Sequence, residues 1–109
     1  MSRDAAFLVQ LLLPLRDAEG TSFPATHFAA LRAELTERFG GLTAYTRAPA
    51  EGLWAEGGQE ARPERDDIVV YEVMTQDVDR VWWSDLRKRL EQRFQQEELV
   101  IRALPMSRL

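Results

Sequence analysis

Two stretches of this sequence repeat one another. Phe28-Ala-Ala-Leu31-Arg32-Ala-Glu-Leu35-Thr-Glu-Arg38-Phe39 lies over Trp83-Ser-Asp-Leu86-Arg87-Lys-Arg-Leu90-Glu-Gln-Arg93-Phe94, with Leu, Arg, Leu, Arg and Phe at matching places. An aromatic residue opens both copies. The apolar positions step by three, four and four residues, which puts them on one stripe of an α-helix. Each copy is therefore expected to be a helix with one core face and one charged face.

The flanking residues agree with that reading. Pro24 suits a first helical turn because its missing N–H has no partner to lose there. Gly40-Gly41 supplies the left-handed conformation a helix end often needs. Asp77 and Asp79 stand before the second copy, where either carboxylate can cap free N–H groups and favour the positive end of the helix dipole.

Each helix lies between two strand-like runs. Ala6–Leu13 precedes the first and stops at Pro14, and Leu42–Ala48, rich in Thr and Tyr, follows it and stops at Pro49. Asp67–Met74 is the strongest strand signal in the chain. Leu99–Leu104 follows the second helix and stops at Pro105. The order β–α–β–β–α–β in two similar halves predicts a split βαβ plan, the ferredoxin-like arrangement. This is an α+β fold with a four-stranded antiparallel sheet and two helices on one face. The 49–66 connection between the halves is long for a hairpin, with Gly52, Gly57, Gly58 and Pro63 as breakers, and long loops are more often functional.

At 109 residues the chain is the size of one domain, read here as residues 1–109. Its 45% hydrophobic and 29% charged residues suit a globular protein. A net charge of −4 argues against nucleic acid, which requires a concentrated basic surface. The basic run Arg87-Lys88-Arg89 is flanked by acids and reads as a solvated helix face. With no cysteine there is no disulfide, thiolate metal site or cysteine nucleophile, in keeping with a cytoplasmic location. The longest apolar run, Ala5–Leu15, is broken by Gln10 and Pro14 and is too short to span a bilayer, so no membrane partner is expected.

Side chains alternate across a strand, and a strand's charged set should point away from the helices, because an unpaired buried charge is costly. That rule assigns Leu8, Gln10 and Leu12 to the open face in the first strand, and Thr43, Tyr45 and Arg47 in the second. It adds Ile68, Val70, Glu72 and Met74 from the third strand, and Val100, Arg102 and Leu104 from the fourth. An exposed apolar surface of this extent marks an interface or a binding cleft. The candidate ligand-binding residues are therefore Gln10, Tyr45, Arg47, Glu72 and Arg102, with Trp54 added because no helix stripe accounts for a tryptophan in the Gly-rich connection.

The duplicated plan and the apolar sheet face resemble the dimeric α/β-barrel group within the ferredoxin-like folds. The run Phe39–Pro49 followed by Gly52-Leu-Trp54 is also similar to small uncharacterised bacterial proteins with a comparable hairpin, a likeness that implies no activity. The barrel resemblance implies a homodimer whose open sheet faces enclose a small-molecule cavity, some members being cofactor-free oxygenases or isomerases.

Other residues favour structural readings. His27, the sole histidine, is read as a first-turn surface residue beside Phe28 rather than a base. Trp83 falls on the helix stripe and Trp82 one step off it, which favours packing over a stacking platform. With one histidine and no cysteine no metal-ligand spacing stands out, and neither Gly pair has the context of a phosphate loop. No cofactor and no catalytic residue is identified. Two functions stay open: a homodimeric module binding a small molecule or partner protein through the sheet face and the 49–66 loop, or a small cofactor-independent enzyme with Tyr45, Arg47 and Glu72 in its pocket.

Overall fold

The computed structural model describes residues 6–47 and 68–109. Its elements run β1 (Phe7–Pro14), α1 (Ala25–Phe39), β2 (Thr43–Arg47), β3 (Ile68–Thr75), α2 (Arg80–Arg93) and β4 (Ile101–Pro105). The strands form one antiparallel sheet in the order β2-β3-β1-β4, so the first strand of each half is central and the second is at an edge. Expected and observed strands differ by one or two residues at their ends. Pro14 and Pro105 close their strands rather than stopping them one residue short, because a proline at a strand end loses no interior ladder bond.

Alternation in β1 buries Val9, Leu11 and Leu13 on one face and leaves Leu8, Gln10 and Leu12 half-buried on the other. β3 adds Tyr71 and Val73 to the buried face. Both helices cover that face: Phe28, Leu31 and Leu35 of α1 and Trp83, Leu86 and Leu90 of α2 join the same core cluster, with Phe94 just beyond α2. Leu31, Leu35, Leu86, Leu90 and Phe94 are fully buried, and each such side chain contributes about 1.5–3 kcal/mol through removal from water.

The helix ends use different devices. Pro24 is the N-cap residue of α1, one position before the expected first turn, and its carbonyl accepts the His27 N–H. Gly40 closes α1 in the left-handed region at φ 84° and donates its N–H to Thr36 O. Asp79, not Asp77, caps α2 by accepting the Trp82 N–H at 3.1 Å. α2 has no glycine at its end, and Gln95 takes the left-handed position at φ 53° while the Gln96 N–H returns to Glu91 O.

The repeat sets the helices against each other reciprocally. Arg38, ending α1, lies 4.2 Å over the Trp82 ring and 3.8 Å from Asp79, at the start of α2. Arg93, its counterpart ending α2, donates to His27 O at the start of α1. Glu34 and Arg89 hold equivalent positions in the two copies and pair at 2.9 Å. A position that meets its own counterpart lies on the pseudo-twofold axis, where identical residues would bring like charges together. Divergence to Glu and Arg removes that repulsion.

Candidate functional site on the open sheet face

Cross-strand register arranges the open face in rows. Leu104, Leu8 and Met74 face one another across β4, β1 and β3; Arg102, Gln10, Glu72 and Thr43 form the next row. Beyond it come Leu12, Val70 and Tyr45, with Val100 joined through the bond from Leu12 N–H to Val100 O. A polar row thus crosses the sheet between two largely apolar ones. Val70 is only 3% exposed although it faces away from the helices, because Leu12 and Tyr45 flank it across the strands.

The polar side chains form one continuous hydrogen-bonded chain. Arg102 Nε donates to Gln10 Oε1 at 2.7 Å, Gln10 Nε2 donates to Glu72 Oε2 at 2.7 Å, and Tyr45 Oη donates to the same oxygen at 2.8 Å. Chemistry dictates the orientation of the central amide. A guanidinium can only donate and a carboxylate can only accept, so Gln10 must turn its oxygen to Arg102 and its NH₂ to Glu72. Gln10 therefore links the two charges of the row, cation to anion, without direct contact between them.

Two capacities in the chain stay unused. The Arg102 Nη groups and Glu72 Oε1 make no hydrogen bond to the described residues. Around them the surface is apolar and open: Met74 is 50%, Val100 48%, Tyr45 42% and Leu104 40% exposed. A cleft of about 380 Å³ at the β2–β3 side is lined by Leu8, Leu42, Thr43, Glu72 and Met74 and meets the row at Glu72 and Thr43.

Four of the six residues singled out from sequence, Gln10, Tyr45, Glu72 and Arg102, are brought together in this chain. The Arg47 backbone pairs with Ile68 at the end of β2; its side chain, Trp54 and the 49–66 connection lie outside the described residues. His27 is less exposed than expected. Its ring is half-buried, packed 6.1 Å from the Phe23 ring and 5.6 Å from that of Phe94. Sequence reasoning missed Arg32, whose Nη1 donates to Tyr71 Oη at 2.9 Å. The available signal was Tyr71 itself, since a core tyrosine needs a partner for its hydroxyl.

Among the described residues, no group of three or more His, Asp or Glu could hold a metal ion. No described helix is long and apolar enough to cross a membrane. No protein-family model, curated protein or solved structure matches the chain.

Proposed function

We propose that the chain is a ferredoxin-like homodimeric module whose open sheet face is covered by a second copy. The observation that carries this reading is the polar row, internally neutralised and hydrogen-bonded on a face that is otherwise apolar. Burying a polar group is costly unless its partner goes with it. Here the Arg102–Gln10–Glu72–Tyr45 chain brings its partners along.

The order of charges also selects a geometry. Two copies stacked face to face can be related by a twofold axis along the strands or along the row. The second choice sets Arg102 over its own counterpart, and facing like charges are strongly disfavoured. An axis along the strands lays β4 over the partner's β2 and β1 over its β3. It sets Arg102 over the partner's Thr43, one strand from the partner's Glu72, toward whose Oε1 the long Arg102 side chain can extend, and stacks apolar rows on apolar rows. Light scattering at micromolar concentration is expected to give the mass of two chains; a monomer would overturn the reading.

The cleft of about 380 Å³ at Glu72 favours a second reading, a cofactor-independent enzyme with Glu72 at the pocket and Tyr45 beside it. In that case Glu72→Gln abolishes turnover of a bound small molecule without changing the mass in solution. In a dimer held by this row, Glu72→Gln lowers the mass.

A further inference from the structure

On the other side of the sheet, α1 leaves the edge strand β2 uncovered, with Ala44 and Thr46 exposed. Between them is a cleft of about 320 Å³, lined by Leu15, Phe28, Ala44, Val69 and Tyr71 with Arg32 among them. The volume is at the small end of ligand sites, and the lining is apolar with few polar groups, as such sites usually are.

The repeat shows what is unusual about Arg32. Its counterpart in the second half, Arg87, is neutralised one turn on by Glu91 at 2.8 Å. The residue equivalent to Glu91 in the first half is Thr36, so Arg32 has no carboxylate at that place. Among the described residues Arg32 has no acidic partner at all, and its only hydrogen bond is the one to Tyr71 Oη. That bond fixes the guanidinium at the cleft. Tyr71 is 1% exposed, and its hydroxyl accepts from Arg32 while its own proton finds no acceptor among the described residues. Among the described residues, this cleft therefore holds a guanidinium with no carboxylate partner and a phenolic O–H with no acceptor.

We propose that this cleft binds an organic carboxylate with an apolar body, the carboxylate accepting from Arg32 and from the Tyr71 hydroxyl while the body lies against Phe28, Ala44 and Val69. A carboxylate supplies what both donors lack, negative charge and two acceptor oxygens, and charge-assisted bonds of this kind are the stronger class. Tyr45 of the polar row borders the cleft at the β2 edge, while the two proposed donors, Arg32 and Tyr71, lie on the helix side of the sheet.

The test is a titration of the full chain followed by ¹H–¹⁵N NMR, with hexanoate and phenylacetate as probes and phenylacetamide as the neutral control. Saturable shifts are expected at the Ala44, Thr46 and Val69 amides with both acids, and at least tenfold weaker binding of the amide. Arg32→Gln should weaken phenylacetate at least tenfold and Tyr71→Phe several-fold, while Arg87→Gln leaves it unchanged. Equal binding of phenylacetate and phenylacetamide by the unmodified chain would overturn the proposal, and that comparison needs no variant to fold. It is equally overturned if Arg32→Gln binds normally, if the shifts fall on Leu8 and Leu12 instead, or if neither acid saturates.

Discussion

The two halves of the molecule share a helix stripe and differ in what stands beside it. In the second half Glu91 closes the surroundings of Arg87, pairing with it and accepting the Leu99 N–H at 3.0 Å, which ties α2 to the approach of β4. In the first half Thr36 stands at that place, Arg32 donates to Tyr71 instead, and a cleft lies beside β2. Gly40 ends one helix and Gln95 marks the end of the other. The duplicated apolar positions hold the fold, while the positions where the copies have diverged give the two halves different polar partners.

The shared stripe gives the largest expected effect. Leu35 and Leu90 are equivalent and fully buried; changing either to alanine is predicted to cost about 2–5 kcal/mol in urea unfolding. The two losses should agree within about 2 kcal/mol, the spread that differences in site relaxation introduce. A loss at one position and none at the other would break the equivalence of the halves.

Next are the helix ends. Gly40→Ala puts a side chain at φ 84° and is predicted to destabilise by about 1 kcal/mol. Gln95→Gly relieves a left-handed residue and is expected to stabilise by up to about 1 kcal/mol. The pair of thermal unfolding curves should move in opposite directions; movement in the same direction would refute this account of the caps.

At the pseudo-axis the effect is smaller, because Glu34 and Arg89 are partly exposed and screened. The Arg89 pKa is raised, chiefly by its hydrogen bond to Glu34, so the cation is stabilised wherever Glu34 is ionised. Either single reversal, Glu34→Arg or Arg89→Glu, is predicted to cost up to about 1 kcal/mol. The double reversal should restore it in a double-mutant cycle, and additive losses would show that the two residues do not interact.

Glu91 adds a pH dependence that Thr36 lacks. Its pKa is lowered from the ordinary carboxylate value of 4.5, first by the Leu99 N–H bond and then by Arg87. A group depressed in the folded state stabilises fully above its unfolded pKa, and that contribution is lost as pH falls through the lower folded value. The Tm gap between the wild type and Glu91→Gln should therefore be widest above pH 4.5 and shrink in acid. Thr36→Ala should show no such trend. A gap that widened in acid would have the wrong sign.

Much of this was legible in the chain itself. The Leu-Arg-x-x-Leu-x-x-Arg-Phe stripe located both helices, and the rule that charges point away from a core assigned Gln10, Tyr45, Glu72 and Arg102 to one face. The order of bonding was not legible: strand alternation puts Gln10 and Glu72 on one face but not in one register, and register decides that Gln10 bridges Arg102 to Glu72. Arg32 was hidden for a different reason. Helical periodicity places it on the charged side of α1, yet a long side chain can lie over apolar surface and carry its head back to a core tyrosine.

The claim that a second copy covers the sheet face, with Arg102 set toward the partner's Glu72, is tested most directly by charge exchange. Glu72→Arg and Arg102→Glu are prepared separately, and each is measured by sedimentation velocity alone and in a 1:1 mixture. Each variant alone meets like charges across the strand-parallel axis and should sediment as a monomer. The mixture restores both opposed pairs and should sediment as a dimer. Dimers of either variant alone, or a mixture that stays monomeric, would contradict the account.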